Sequence, residues 1–151
     1  MSIKLKKGSP HSADVKLLSD ELHKDLEAIY GNGIIEDFLD ENKEMLIFYV
    51  AYDENGNGIA CGALKHYDDS TAEIKRMYVM PQFRGRGLSK LILMQLEDYA
   101  KELNYQRLIL ETGLKQPEAM SLYQKFRYKP LKCYGRHAND TDSRCFEKLI
   151  L

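Results

Sequence analysis

Residues 80–100, MPQFRGRGLSKLILMQLEDYA, set Gly85, Gly87 and Ser89 among basic side chains and then run straight into an apolar-periodic segment. Bare glycines let a ligand approach the backbone closely, and a helix start offers unpaired N–H groups at the positive end of its dipole. Together these features describe a phosphate cradle. A plain glycine turn between a strand and a helix would read the same way, so the surroundings must decide.

Working outward, the apolar positions Leu88, Leu91, Ile92, Leu96, Tyr99, Ala100 and Leu103 recur at helical spacing after the glycines. Upstream, residues 72–79 read as a strand stopped by Pro81. Residues 45–52, MLIFYVAY, and 59–66 flank DENGNG and form a hairpin. An N-terminal helix spans 12–30, with Ser12 as N-cap, apolar Val15, Leu18, Leu22, Leu26 and Ile29, and GNG at 31–33 as its stop. A short strand at 3–6 precedes it. Downstream come a strand at 107–111, a helix at 117–126 opened by proline, and strands at 128–134 and 145–151. The order is β-α-β-β-β-α-β-α-β-β, an α/β (mixed α+β) chain whose glycine segment follows the carboxyl end of the third strand of the meander. Ligands of such sheets sit where strands part, at their carboxyl ends.

Composition narrows the classes. The 151 residues, 44% hydrophobic and 30% charged, are read as one domain over 1–151. Lys plus Arg is 22 against 23 Asp plus Glu, which excludes the basic surface of a general nucleic-acid binder. No apolar run is long enough to span a bilayer and the N-terminal segment lacks the apolar core of a signal peptide. Cys61, Cys133 and Cys145 are odd in number with no metal-like spacing. They are expected to be free thiols in a cytoplasmic protein without a metal. His11, His23, His66 and His137 are scattered, with surface or capping roles expected.

Two nucleotide fingerprints fail. There is no G-x-x-x-x-G-K-[ST] string, and the segment lacks the third glycine of G-x-G-x-x-G. Instead, EIKRMYVMPQFRGRGLSKLIL (73–93) resembles the central motif of the GNAT superfamily of N-acetyltransferases: a strand ending near V-x-P, then [QR]-x-x-G-x-[GA], then a helix. Two registers are possible, starting at Gln82 or at Arg84; the distance from Val79 and Pro81 to the helix favours Arg84, with Ser89 where Gly or Ala is usual. LETGLKQPEAMSLYQKFRYKP (110–130) resembles the family's N-x-x-A-x-x-x-Y motif through Gln116, Ala119 and Tyr123. Gln replaces the usual Asn, and Arg127 stands where Gly is common before the aromatic Tyr128. CFEKLIL (145–151) is similar to the closing strand of many small-molecule members.

The resemblance implies a mostly antiparallel sheet of about seven strands and acetyl-CoA as cosubstrate. Its pyrophosphate would rest on the segment Arg84, Gly85, Arg86, Gly87, Leu88, Ser89 and Lys90. Its arm would lie along Met77, Tyr78 and Val79, with Gln116, Ala119 and Tyr123 beside the thioester. Five basic residues and no acidic one between Lys75 and Lys90 suit a polyanion. The implied reaction is direct acetyl transfer to a primary amine of a small molecule, through a tetrahedral intermediate. Glu73 or Glu111 is the general base, a backbone N–H near residues 77–79 meets the developing oxyanion, and Tyr123 is the general acid. A covalent cysteine route is the alternative mechanism, and a protein acetyltransferase or a non-catalytic acyl-CoA-binding module is the alternative function. Residues 14–44 carry ten acidic and three basic residues, either a wall attracting a cationic acceptor or a solvated face. The loop at 134–143 is expected to form the opposite wall, with Tyr134 and Arg136 in contact. A homodimer through the terminal strands is compatible with an edge strand, which alone does not establish it.

Overall fold

A computed structural model of the chain describes residues 2–31 and 41–151. Among the described residues, seven strands and three α-helices follow in the expected order: β1 (Lys4–Gly8), α1 (Ala13–Tyr30), β2 (Met45–Tyr52), β3 (Gly58–Asp68), β4 (Thr71–Val79), α2 (Leu88–Glu102), β5 (Arg107–Gly113), α3 (Pro117–Lys125), β6 (Lys129–Leu131) and β7 (Ser143–Leu149). They form one sheet in the order β1-β2-β3-β4-β5-β7-β6. Every pairing is antiparallel except β4 with β5. Gly33, in the expected helix stop, lies outside the described residues.

Alternation along the strands divides the core between the two faces. Phe48 and Val50 of β2 pack with Val15, Leu18 and Leu22 of α1. Tyr49 and Ala51 pack on the other face with Ile92, Leu93 and Leu96 of α2. Each fully buried Leu or Ile adds about 1.5–3 kcal/mol, so the sheet is held from both sides. Ser12 caps α1 as its spacing indicates, its hydroxyl accepting from the Val15 N–H at 3.2 Å.

Two local features depart from the sequence pattern. The strand expected over 128–134 is only Lys129–Leu131, because Pro130 offers no N–H and the strand lies at the sheet edge. Residues 132–142 are freed as a loop with a short 3₁₀ turn, Gly135–His137. Arg127 has φ 68°, in the left-handed region. That conformation is where glycine is at no disadvantage, which accounts for the glycine common there in the resembling family.

Candidate active site

The site begins with a difference between the two edges of β4. Toward β3 it is paired from Thr71 to Val79, with a register break where Gly62 faces both Arg76 and Met77. This is a β-bulge. Arg76 adopts φ 60°, a conformation costing about 1–3 kcal/mol for a non-glycine residue unless its surroundings fix it. They do. Its Nε donates to Asn42 Oδ1 at 2.9 Å and its Nη2 to Glu41 Oε1 at 2.6 Å. The Cys61 thiol donates to its carbonyl, and Asn42 is itself bonded to Ser19 of α1. Burial alone would raise the Glu41 carboxyl, but Arg76, Lys75 and Lys65 outweigh it and hold the group down to about 2.

Toward β5, β4 is paired only over residues 71–73, against 107–109. Beyond Glu73 the strands part and open a cleft of about 540 Å³. Residues 73–77 of β4 and 111–113 of β5 form its flanks. Leu22, Leu26 and Tyr30 of α1 close one side, Gln116, Ala119 and Tyr123 of α3 another, and Arg136, His137, Asp140, Asp142 and Ser143 form a further wall.

Glu73 is buried, and the Tyr134 hydroxyl donates to its Oε2 at 2.8 Å. Ser143 Oγ donates to Glu111 Oε2 at 2.8 Å, and His137 Nε2 lies 3.7 Å from Glu111 Oε1. Both carboxylates are therefore oriented by the 132–142 loop and the first residue of β7. A disulfide between Cys133 and Cys145 ties the foot of that loop, and Cys145 pairs in register with Glu111. Tyr123 is 5% exposed. Burial, and secondarily the Glu111 charge, push its hydroxyl well above its ordinary range, so it stays protonated. An ionised carboxylate here can accept a proton and Tyr123 can give one. Gln116 Oε1 accepts from the Gly113 N–H at 3.1 Å and faces the Tyr30 hydroxyl. A Cβ on Gly113 would collide with that hydroxyl.

The glycine segment follows β4 through a 3₁₀ turn, Pro81–Phe83. Gly85 and Gly87 have φ 79° and 78°, and nothing lies within 4 Å of where their Cβ atoms would be. Gly87 caps α2 without a side-chain hydrogen bond, and no acidic residue occupies the first turn. Open space thus borders Gly85 and Gly87 at the start of α2, whose first-turn amides have no partner within the helix, as an anion site requires.

Sequence reasoning placed Glu73, Glu111, Tyr123, Met77, Gln116 and Ala119 in one cleft, and all six line it. Tyr78, Val79, Arg84, Gly85, Arg86, Gly87, Leu88, Ser89 and Lys90 lie outside its lining, on the segment leading from it. Arg84 braces this segment: Nε donates to the Val79 carbonyl and Nη2 to Asp25 of α1, each at 2.9 Å. Arg86 lies over the Phe83 ring.

Several expectations need correction. Cys133 and Cys145 are bonded rather than free, because the β6 and β7 edges bring them together across twelve residues. Cys61 is fully buried and its thiol is pushed up to about 12 by that burial, which removes the thiolate a covalent route needs. His137 is in the cleft, not a surface cap. None of the described acids of 14–44 lines the cleft: Asp14 accepts from Tyr52, Asp25 from Arg84, and Glu41 binds Lys65, Lys75 and Arg76. Glu36, Asp37 and Asp40 lie outside the described residues. Arg136, His137, Asp140, Asp142 and Ser143 line the cleft from the loop expected as its opposite wall, whereas Tyr30 and Thr112 carried no sequence signal, since only the folded helix end and strand bring them there.

Over residues 15–128 the sequence matches the Acetyltransferase (GNAT) family. The chain belongs to the GNAT family of acetyltransferases. It is 29% identical over 151 residues to the IAA acetyltransferase of Azospirillum brasilense, covering 97% of each chain. Its fold matches that of a Klebsiella pneumoniae protein described as an acyl-CoA N-acyltransferase. There the TM-score is 0.84 at 25% identity, covering 99% of this chain and 98% of the other. A GNAT acetyltransferase of Elizabethkingia anophelis, solved with acetyl-CoA bound, matches with a TM-score of 0.70 at 21% identity, covering 97% of each chain. The GNAT N-acetyltransferase described here thus has the family's mixed sheet. Among its described residues no helix is long and apolar enough to cross a membrane.

Proposed function

We propose that this GNAT enzyme transfers an acetyl group directly from acetyl-CoA to a primary amine of a small-molecule acceptor. The observation that carries this reading is the parting of β4 from β5 after Glu73, which gathers Glu73, Glu111 and Tyr123 around one cleft. The residues present suit the cosubstrate. The open, left-handed Gly85 and Gly87 and the first amides of α2 would hold the pyrophosphate. The backbone of residues 77–79 would carry the arm, and Gln116 and Ala119 would flank its end. When bound, acetyl-CoA supplies the activated acetyl group as a thioester.

The protein's own groups do the rest. An alkylammonium has a pKa near 10, so the amine must lose a proton before it attacks. Glu73 on β4, oriented by Tyr134, is one base, and Glu111 on β5, oriented by Ser143 and beside His137, is the other. Tyr123, kept protonated by burial, returns a proton to the departing thiolate. α1 and the 132–142 loop narrow the acceptor side, which favours a small acceptor over a peptide laid in an open groove. The name of the Azospirillum brasilense relative points the same way.

Calorimetric titration with acetyl-CoA, with ATP and NAD as controls, tests the cosubstrate, and thiol release over a panel of amines tests the transfer. Saturable binding of acetyl-CoA alone together with amine-dependent thiol release is expected. Absence of binding overturns the assignment of the site. Binding without release on any amine makes the protein an acyl-CoA-binding module instead.

A further inference from the structure

The apolar stripe of α1 runs past the core it helps to fill. Val15, Leu18 and Leu22 are buried with Phe48 and Val50 of β2. Leu26 and Tyr30 continue the row of Leu22 at spacings of four, which sets all three on one face of the helix. Leu26 and Tyr30 are only partly buried, and the three residues together line the cleft. A helix ordinarily turns such a ridge onto other apolar groups. Here its last two turns are presented to a cleft that also holds two carboxylates.

The plane of the sheet divides that cleft in two. Lys75 pairs directly with Ala63, which is buried in the cluster beneath α1. Directly paired residues share a face, so Lys75 and, two residues along, Glu73 lie on the α1 side. On β5, Leu108 and Leu110 belong to the cluster beneath α2, so Glu111 is turned to the α1 side as well. Met77, Ala119 and Tyr123 pack with the α2 cluster instead. One half of the cleft therefore lies with α2 and α3, where the cosubstrate arm is proposed to run. The other half lies with α1 and holds both carboxylates and the ridge of Leu22, Leu26 and Tyr30. Lys75 on that side is engaged by Glu41 at 3.6 Å.

We propose that the acceptor is a primary amine carried on an apolar body, an alkylamine or arylalkylamine. Its nitrogen lies at Glu73 and Glu111, and its hydrocarbon lies along Leu22, Leu26 and Tyr30. A polyamine or an amino sugar would set a second charge or a row of hydroxyls against the ridge, stripping them of water with no partner in return. This inference rests on the acetyltransferase reading of the same cleft.

The test is thiol release from acetyl-CoA over straight-chain monoamines from propyl to hexyl and phenethylamine, each alkylamine beside the α,ω-diamine of the same length. For the monoamines kcat/KM is expected to rise about fourfold per methylene, the worth of burying one such group. Each diamine is expected to fall about tenfold or more below its monoamine. Leu26→Gln, at a partly buried position, should flatten the rise through KM for the amine, with KM for acetyl-CoA within about twofold of wild type. A flat or falling series in the wild-type protein overturns the apolar subsite while leaving the acetyltransferase reading intact. So does a Leu26→Gln variant in which KM for acetyl-CoA moves and the amine series does not, since the ridge would then serve the cosubstrate. Thiol release with no amine of either kind overturns both.

Discussion

The two edges of β4 contrast within a single strand. Toward β3 the pairing runs the full length of the strand and is packed so closely that Gly62 has no room for a Cβ, with Ile92 Cγ2 and Met77 Sδ both 2.6 Å from where it would sit. Toward β5 the pairing ends after residues 71–73 and a cleft takes over. One edge holds the sheet together and the other borders the cleft proposed as the acetyl-transfer site. Substitutions beside the open edge should therefore change chemistry with little change in stability, and those beside the closed edge should do the reverse.

The largest effect is expected at the glycine segment that follows the open edge. Gly87→Glu sets a side chain at φ 78° and a negative charge at the N-cap of α2, beside its first-turn amides. Acetyl-CoA affinity should fall at least about a hundredfold, the scale of a lost charge-assisted contact combined with like-charge repulsion. Calorimetry measures it, and an unchanged circular dichroism spectrum shows that the fold survives. A folded variant that binds normally would remove the phosphate cradle. Next, Tyr123→Phe deletes one hydroxyl at the cleft, and kcat should fall about a hundredfold with KM for acetyl-CoA within about twofold. An equal loss in both would give Tyr123 a packing role instead.

At the closed edge, Gly62→Ala should leave the steady-state constants near wild type while lowering stability. Overpacking costs about 1–3 kcal/mol, or a fall in Tm of roughly 2–10 °C for a chain of this size. A change in kcat larger than the change in Tm would mean that the bulge and the cleft are one mechanical unit. The smallest effect concerns the clamp on that bulge. Glu41 is held at about 2 against an ordinary 4.5. A depressed carboxyl contributes stability that is present above its unfolded value and lost as pH falls through the folded one. Glu41→Gln should therefore be less stable than wild type at pH 7, with the gap closing between about pH 4.5 and pH 2 in denaturant titrations. A gap that stays constant across that window would mean that Glu41 acts by shape and not by charge.

Much of this contrast is visible in the sequence before folding. The helical spacing of Leu88, Ile92 and Leu96 and the small residues ahead of it locate α2 and its open start. The strand pattern from Ala72 to Val79 locates β4, and the spacing of Gln116, Ala119 and Tyr123 brings three residues to the cleft. What the sequence hides depends on contacts made across the chain. Ser143 and His137 reach Glu111 only because β7 pairs with β5 and Pro130 shortens β6. Cys133 and Cys145 carry no pairing signal, since their separation is as compatible with two free thiols as with a bond. The acids of α1 form a conspicuous run in one dimension, yet Asp14 and Asp25 face different partners once wound into a helix.

The early end of the β4–β5 ladder has a consequence for solvent exchange along the strand. Successive amides of a regular strand point to alternate edges, so beyond Glu73 some N–H groups of β4 point toward β3 and the others toward the gap, with the alternation slipping by one residue at the Arg76 bulge. Deuterium should enter this strand at two rates, slowly at the β3-facing amides and quickly at those facing the gap. An acetyl-CoA arm lying along residues 77–79 would slow the fast set and leave the slow set unchanged. The strand thus carries a built-in reference, in which one set of amides reports whether the protein is folded and its neighbours report whether the cosubstrate is in place.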